Sequence, residues 1–203
     1  MKNMREIVRK GYNEGKYEET YARTNQKIDR IEKAFCNELI ERLKGDKLLD
    51  LGCGTGMPYT KYFAKKGLKT TGIDISEKHI ALAKKNVPEA KFFVGDFFSN
   101  KIKGKFDAIT SFFAIFHIPR DEHQKLYEHT YNLLKKDGMI LFVLAIDAMK
   151  MYKNDDFAGS KMLWSSYNAP TNKKMLEKAG FEIILSAEDT RVERHLWVLA
   201  KKK

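Results

Sequence analysis

The sequence predicts an α/β protein built on a mostly parallel sheet of seven strands, with helices on both faces. From Lys47 onward, short β-branched or leucine-rich runs alternate with segments of helical periodicity, which is typical of successive βαβ units. The run from Met139 to Ile146 is apolar throughout, as expected for a strand buried on both faces of a sheet. With 203 residues, the chain is close to the size at which one hydrophobic core is efficient, so we expect a single domain over residues 1–203.

The core of the predicted fold covers residues 46–146 and contains five strands. These strands are expected at Lys47–Leu51, Lys69–Asp74, Ala90–Val94, Phe106–Phe113 and Met139–Ile146. Helices are expected to begin near Pro58, Glu77 and Arg120. Ser76 is a suitable cap for the second helix, and Pro58 is tolerated in the first turn because the N–H that it lacks would have no partner there.

The segments on either side of this core differ in pattern. Residues 1–45 predict a helical cap, in which apolar side chains recur at helical spacing and cover one face. These side chains are Ile28, Ile31, Phe35, Leu39, Ile40 and Leu43. Residues 147–170 lack a clear period and predict a long loop, a length that usually indicates a function. Residues 171–203 contain a helix ended by Gly180 and two strand-like runs, whose short polar link makes them an antiparallel pair.

Composition narrows the function classes. Hydrophobic residues make up 43% of the chain and charged residues 32%, as in ordinary globular proteins. No stretch is apolar enough for a secretion signal or a membrane span, so we expect a cytoplasmic protein without a membrane partner. Cys36 and Cys53 are the two cysteines, too few for a metal cluster, and no metal site is expected.

The net charge of +11 admits a nucleic-acid partner, because clustered cations bind polyanions. The excess is mostly lysine, in short pairs on predicted helix surfaces, and no stripe rich in arginine and aromatic residues accompanies it. We therefore expect a small-molecule partner and keep nucleic acid as the weaker alternative. The sequence does not indicate the oligomeric state.

A glycine-rich turn follows the first strand. Residues 48–56 read LLDLGCGTG, an apolar strand that presents Asp50 and then alternate glycines. Such a turn lets a ligand lie directly on the backbone, where side chains would block it. A nicotinamide-binding fingerprint would need a glycine at the position of Met57, so that interpretation is disfavoured.

Two further acids follow the next two strands. Asp74 ends the second strand about 20 residues after the turn, where a carboxylate can accept both hydroxyls of a ribose. Asp96 lies in the segment Val94-Gly95-Asp96-Phe97 after the third strand. Because the carboxyl ends of parallel strands meet at one edge of a sheet, the three segments are expected to converge on a single crevice.

These residues resemble the first three motifs of class I S-adenosylmethionine-dependent methyltransferases, in particular a small-molecule branch with type 11 and type 25 methyltransferase domains. The resemblance implies a Rossmann-like, doubly wound sheet whose last strand is antiparallel, with S-adenosylmethionine as cofactor and S-adenosylhomocysteine as product. It also implies that Ile75 packs on adenine, that Asp96 accepts from the exocyclic amine and that Phe97 borders the ring. The implied cofactor-binding residues are Asp50, Gly52, Cys53, Gly54, Gly56, Asp74, Ile75, Asp96, Phe97, Ser111 and Phe112.

The resemblance extends through the fourth strand, where Phe106-Asp107 opens an apolar run that ends at His117-Ile118. No Asn/Asp-Pro-Pro-Tyr follows this strand, which argues against enzymes that methylate amines of DNA bases or glutamine amides. No acidic set resembles the magnesium site of catechol-type enzymes.

Catalytic groups are harder to recognise in the sequence than the cofactor site. His117 stands at the edge of the predicted active site and, with Tyr167, is a candidate to orient or deprotonate an acceptor. Cys53 is not expected to be a nucleophile. The candidates for acceptor binding are Tyr12, Tyr17, Tyr21, Phe116 and Trp164. The pattern places His79, His123 and His129 on helix surfaces and His195 in the last strand, without a chemical role.

We expect methyl transfer to a nucleophilic N, O, S or C atom of a small molecule, with segment 147–170 and the N-terminal helices forming the acceptor pocket. Alignment of the reacting atoms supplies much of such catalysis, which explains why the cofactor site is easier to recognise than a catalytic group. An RNA methyltransferase and a non-catalytic regulatory protein that binds S-adenosylmethionine are the alternatives.

Overall fold

A central sheet of seven strands organises the chain in the computed structural model, which describes residues 2–17, 28–189 and 194–203. The strands of this sheet are β1 Lys47–Leu51, β2 Lys69–Asp74, β3 Lys91–Val94, β4 Phe106–Ser111, β5 Leu134–Ala145, β8 Phe181–Asp189 and β9 His195–Lys202. The helices are α1 Lys2–Glu14, α2 Arg30–Arg42, α3 Tyr59–Lys65, α4 Glu77–Asn86, α5 His123–Leu133 and α6 Ala169–Lys178. Two further strands, β6 Met149–Phe157 and β7 Ser160–Ser166, form a separate hairpin.

The strand order is β3-β2-β1-β4-β5-β9-β8. Strands β1 to β5 are parallel, while β9 runs antiparallel to both of its neighbours, β5 and β8. Strands β2 and β3 are added on one side of β1, whereas β4 and β5 are added on the other side, so the direction of the strand order reverses beside β1. In open α/β sheets, ligands bind outside the carboxyl ends of the strands at this switch point. The predicted Rossmann-like, mostly parallel sheet with an antiparallel last strand is confirmed.

The sheet is covered on both faces, because alternate residues of each strand point to opposite sides. One cluster of buried side chains contains Leu49, Ile109, Ile140, Leu126 and Leu176 and joins the sheet to α5 and α6. The other contains Leu48, Ala108, Leu141, Phe35 and Phe63 and joins it to α2 and α3. Both faces of the central strands are therefore buried, which explains their almost continuous apolar sequence.

Capping residues fix where the helices that flank the candidate site begin. Asp29 and Glu32 form a capping box at the start of α2, and the Ser76 hydroxyl accepts a hydrogen bond of 3.0 Å from His79 N–H at the start of α4. Of the apolar face predicted before the sheet, Phe35 and Leu39 are buried, but Ile31 is 45% exposed. The buried face of α2 is therefore narrower than the apolar face that the sequence predicts.

The prediction of a loop over residues 147–170 is wrong, because most of this segment is the β6–β7 hairpin. The two-residue turn Ala158-Gly159 joins the strands, and both residues have positive φ, as a type I′ turn requires. The register shifts between Met149 and Tyr152 and again between Asn154 and Phe157. These irregularities interrupt the alternation of side chains and hide the strands from a period-two search.

Helix α1 packs against β7 and α4 and lies across the carboxyl edge of the sheet. Its buried residues Met4 and Val8 contact Met162 and Leu163 of the hairpin. The helix and the hairpin therefore form a roof, and the space beneath it is bounded by the ends of the parallel strands. Among the described helices, none is long and apolar enough to cross a membrane.

Candidate active site

The glycine-rich turn forms the floor of the site. Gly52, Gly54 and Gly56 have φ values of +72°, +53° and +77°, a region that side chains other than glycine rarely adopt. A Cβ at Gly52 would lie 2.3 Å from the Cβ of Ala114, whereas a Cβ at Gly54 would meet nothing within 4 Å. The backbone at Gly54 therefore faces open space, which a ligand can occupy.

Asp50, the acid before the turn, is buried and serves the fold. Its carboxylate accepts hydrogen bonds from the hydroxyls of Thr60 at 2.6 Å and Thr110 at 2.9 Å. Burial raises the pKa of Asp50 to about 6, although the two threonine hydroxyls oppose this shift. The residue thereby ties β1 to α3 and β4 and holds the turn in place.

Asp74 is buried at the end of β2 and holds the turn from the other side. Its Oδ2 accepts from Gly54 N–H at 2.9 Å and its Oδ1 from Ser76 N–H at 2.9 Å. His79 Nδ1 lies 3.7 Å from Oδ1. Burial alone would raise the pKa of this carboxyl, but His79 and the two N–H groups bring the pKa below its ordinary value. Asp74 is therefore a carboxylate, with acceptor capacity facing the cleft.

Two cavities adjoin along the carboxyl edge of the sheet. The larger, about 700 Å³ including space open to solvent, is lined by the glycine turn, Asp74, Tyr12, Tyr17 and Phe113, among others. The smaller, about 430 Å³ on the same measure, is lined by Ile75, Asp96 and Phe97, among others. Residues common to both cavities are Tyr12, Gly52, Asp74 and Ala114. The predicted cofactor motifs therefore converge on one continuous cleft.

A family model described as a methyltransferase domain matches residues 48–138, which contain all three motifs. This match agrees with the resemblance to class I S-adenosylmethionine-dependent methyltransferases that the three motifs predict for this part of the chain. The family prediction is thereby confirmed for residues 48–138.

Individual members of this methyltransferase family resemble different parts of the chain. A tRNA N(3)-methylcytidine methyltransferase of Schizosaccharomyces pombe is 34% identical over 52% of this chain and 39% of its own length. A ubiquinone biosynthesis O-methyltransferase of Actinobacillus pleuropneumoniae is 31% identical over 54% and 50%. The crystal structure of magnesium protoporphyrin IX methyltransferase from Synechocystis PCC 6803 has a TM-score of 0.74 at 19% identity and covers 98% of this chain and 97% of that one. The chain spans about half the length of the curated relatives it matches.

The roof of the cleft is attached by polar contacts from α1. Asn13 accepts from the Ser76 hydroxyl at 2.8 Å and Arg9 pairs with Glu77 at 3.0 Å. The Tyr12 ring lies 4.9 Å from that of His79 and 5.2 Å from that of Tyr17. These contacts place two tyrosines over the cleft. Tyr21, the third predicted tyrosine, lies outside the described residues.

His117 is buried and uses both ring nitrogens. Nδ1 lies 2.9 Å from the carbonyl oxygen of Leu163 and Nε2 lies 2.8 Å from the Tyr12 hydroxyl. Because a carbonyl only accepts, Nδ1 carries the proton, and in the neutral ring Tyr12 donates to Nε2. Burial lowers the pKa of His117 to about 4, against the opposing effect of the Leu163 carbonyl. His117 is therefore neutral at pH 7 and joins α1, the turn after β4 and the hairpin.

Three further predicted residues differ in their relation to the two cavities. The Ser111 hydroxyl is buried and donates to the Leu51 carbonyl at 2.8 Å, which is a structural contact. Phe112 lines the larger cavity and stacks on Tyr59 at 3.8 Å. The Tyr167 ring packs against Arg120 and His123 and lines neither cavity.

Trp164 and Phe116 lie one layer further out. Both rings pack against His117, with centroids 5.5 and 5.0 Å from the imidazole.

Cys53 lines the larger cavity but is buried among apolar side chains, and this burial raises the pKa of its thiol well above the ordinary value. A reactive thiolate is disfavoured in that environment.

Sequence reasoning missed several residues of the site, among them His79, Phe113 and Arg5. His79 and His123 are buried rather than on helix surfaces, and His79 lines the larger cavity beside Asp74. Phe113 also lines that cavity, with a φ of +57° that is unusual for a residue with a side chain. Arg5 lines the smaller cavity from α1. The position of His79, three residues after the helix cap Ser76 that follows Asp74, is the signal that could have been used.

The buried histidines predict a pH-dependent stability. In the folded protein burial lowers the pKa of His117 and of His123 to about 4, while an unfolded histidine has a pKa of about 6.5. Between pH 7 and pH 5 the unfolded chain therefore binds more protons, and the free energy of unfolding falls. Asp50, with a folded pKa of about 6, acts in the opposite direction. We expect a net loss of about 2 kcal/mol over this interval.

Urea unfolding at pH 7 and pH 5 measures this difference. Asp50→Asn removes the opposing contribution, so its loss of stability between the two pH values should exceed that of the wild type. His117→Asn should show a smaller loss than the wild type. Equal free energies of unfolding at the two pH values in the wild type would contradict the assignment of these histidines as neutral.

Proposed function

We propose that the chain transfers the methyl group of S-adenosylmethionine to a small-molecule acceptor. The observation that carries this proposal is the convergence of the glycine turn, Asp74 and Asp96 on one continuous cleft at the switch point of the sheet. Each of the three segments is unremarkable alone, but their order along the edge follows the order of the parts of the cofactor.

The residues present fit this cofactor. The open space above Gly54 can take the methionine end, since a ligand there would meet backbone rather than side chains. The buried carboxylate of Asp74 can accept from ribose hydroxyls, and the Asp96 carboxylate, whose side chain is 35% exposed, faces the smaller cavity where adenine would lie. Ile75 and Phe97 supply apolar surface to that cavity.

Bound S-adenosylmethionine supplies a methyl group that its positively charged sulfur has already activated. The chain therefore has to hold the nucleophile in line and exclude water, and both tasks depend on the roof. The rings of Tyr12 and Tyr17 line the larger cavity, and aromatic faces are favourable neighbours for a cationic centre.

His117 acts through Tyr12 in this proposal. Protonating His117 at pH 7 would cost about 4 kcal/mol, since its pKa is about 4, so it is a poor proton acceptor. Its Nε2 instead accepts from the Tyr12 hydroxyl, which leaves the lone pairs of that oxygen for a hydrogen bond from an acceptor. His117 is then a positioning residue. Tyr167 has no role in proton transfer in this proposal, because its ring packs outside the two cavities.

The acceptor pocket is proposed to be small and partly apolar. Trp164 packs on His117 and, at 5.0 Å, on Phe157 of the same hairpin. Phe157 in turn lies 5.8 Å from Tyr17, so an aromatic layer continues from the hairpin to the cleft. Such a layer excludes water and offers flat apolar surface to an acceptor.

Calorimetric titration and label transfer test this function. The protein should bind S-adenosylmethionine and S-adenosylhomocysteine and bind NAD at least ten-fold more weakly, because the dinucleotide fingerprint is incomplete. Incubation of a metabolite extract with methyl-labelled cofactor should then yield a labelled small molecule. Equal or tighter binding of NAD would overturn the proposal, and cofactor binding without any labelled product would favour the regulatory alternative.

Methylation of RNA is the second candidate, favoured by the net charge of +11 and by the similarity to a tRNA methyltransferase. The same labelling experiment separates the two candidates when total RNA is added and recovered by size. Label in the small-molecule fraction supports the proposal. Label in RNA that is sensitive to ribonuclease would replace it.

Trp164→Ala should leave S-adenosylhomocysteine affinity within about two-fold and lower turnover of the identified acceptor by at least ten-fold, because the side chain supports the roof and not the cofactor cradle. Calorimetry and initial rates measure the two effects. Tyr152→Ala is the control, since Tyr152 also packs on Trp164 but is half exposed on the outer strand of the hairpin. Equal rates in wild type and Trp164→Ala would remove Trp164 from the acceptor pocket.

A further inference from the structure

Arg5 joins α1 to the far end of the cleft. Its Nη1 donates to Glu122 Oε1 at 3.0 Å and its Nη2 donates to Glu122 Oε2, so the pair is bidentate. Glu122 ends the short turn that precedes α5. The guanidinium also lies over the Phe98 ring, 5.8 Å from its centroid. Because the group is planar, these contacts also fix the direction of its Nε–H.

The Nε–H group lies beside Asp96 at the smaller cavity. Arg5 lines this cavity together with Asp96 and Phe97, and its side chain is 21% exposed. Nε is buried and lies 3.3 Å from Asp96 Oδ2 but makes no hydrogen bond within the described part of the chain. A buried donor without a hydrogen bond is costly to the fold and is a common sign of a ligand site.

The two groups present a complementary pair to a flat base. Asp96 is an acceptor, and one of its oxygens already receives Phe98 N–H at 3.0 Å. Arg5 Nε–H is a donor beside it. The edge of adenine offers the N6 amine donor next to the N1 acceptor, whereas hypoxanthine reverses this order, with the O6 carbonyl acceptor next to the N1–H donor. A carboxylate and an N–H group held in one fixed order therefore match adenine and mismatch hypoxanthine.

We propose that Arg5 is a base-recognition residue of the cofactor site, which selects adenine together with Asp96. This inference rests on the proposed function, because it assumes that a nucleoside occupies the cleft. It also gives α1 a role in binding, since the helix contributes a donor to the ligand as well as covering it. The competing interpretation is that Arg5 only attaches α1 to the core through Glu122.

Calorimetry with two ligands separates these interpretations. S-adenosylhomocysteine and its hypoxanthine counterpart, S-inosylhomocysteine, are titrated into wild type, Arg5→Met and Arg9→Met. Arg9 is the matched control, because it lies one turn further along α1 and also forms ion pairs, with Glu6 and Glu77, but lines neither cavity. We expect Arg5→Met to weaken S-adenosylhomocysteine binding about ten-fold and to reduce the preference for adenine by a similar factor. Arg9→Met should stay within two-fold on both measures.

Arg5→Lys provides a second test if Arg5→Met does not fold. It keeps a cation beside Glu122 but lacks the fixed planar donor, so the preference for adenine should still fall. Equal weakening of both ligands in Arg5→Met or Arg5→Lys, or an effect no larger than that of Arg9→Met, would show that Arg5 only attaches the helix and would overturn the inference. A wild-type protein that binds neither ligand would overturn the proposed function and the inference together.

Discussion

Replacing Asp74 with alanine is expected to lower the affinity for S-adenosylhomocysteine by about 10- to 150-fold, which corresponds to 1.5–3 kcal/mol. The carboxylate lies on the wall between the two cavities, where it can accept from ribose hydroxyls. Its removal also frees Gly54 N–H, so the shape of the turn is affected together with the ribose contact. Isothermal titration calorimetry measures the change.

Asp107→Ala is the matched control for this variant. Asp107 is also buried at one end of a strand, accepts from Lys47 N–H at 3.0 Å and pairs with Lys135. It belongs to the opposite edge of the sheet, near the start of β4. Both variants should lower the melting temperature, but only Asp74→Ala should lower the affinity of the folded protein. Unchanged affinity in folded Asp74→Ala would remove Asp74 from the cofactor site.

The pKa values of the two central acids of the site, Asp50 and Asp74, are shifted in opposite directions, although both side chains are buried. Burial dominates at Asp50 and raises its pKa to about 6, because its partners are neutral hydroxyls. At Asp74 the neighbouring His79 and two backbone N–H groups outweigh burial and lower the pKa. This difference agrees with the proposal that Asp50 stabilises the turn and that Asp74 is the carboxylate that binds the ligand. A motif pattern treats both as acids of one site and does not separate them.

The floor of the site could be predicted from the sequence because it depends on residues that are close together in the chain. A strand that ends in an acid and continues into alternate glycines fixes a turn, and the topology of parallel strands brings Asp74 and Asp96 to the same edge. The roof could not be predicted in this way. Arg5 and Asp96 are 91 positions apart, and their contact depends on how α1 lies across the completed sheet.

The hairpin shows a second limit of sequence patterns. Strands β6 and β7 pair with each other and not with the main sheet, so β6 is mostly exposed and lacks an apolar face. Two register shifts break the remaining alternation. Aromatic side chains of this segment nevertheless pack toward the cleft, since Trp164 lies against His117 and Phe157 lies against Tyr17. Its secondary structure was hidden because strand prediction relies on periodicity.

Alanine substitutions in the glycine turn should separate folding from binding. Gly52→Ala places a Cβ 2.3 Å from Ala114 at a φ of +72°, so backbone strain and overpacking are expected to lower the free energy of unfolding by about 2–5 kcal/mol. Gly54→Ala meets nothing within 4 Å at a φ of +53° and should lower it by only about 1–2 kcal/mol. The added methyl group would nevertheless occupy the cradle, so affinity for S-adenosylhomocysteine should fall by at least ten-fold.

Gly67→Ala is the matched control for Gly54→Ala. Gly67 also has a positive φ, +89°, and a Cβ there would likewise meet nothing within 4 Å, but the residue follows α3 and lines neither cavity. The two variants should therefore lose similar stability in urea unfolding, while calorimetry should find reduced affinity in Gly54→Ala alone. Equal affinity in these two variants would mean that the ligand does not lie on the turn. The glycine pattern would then reflect only the shape of the backbone between β1 and α3.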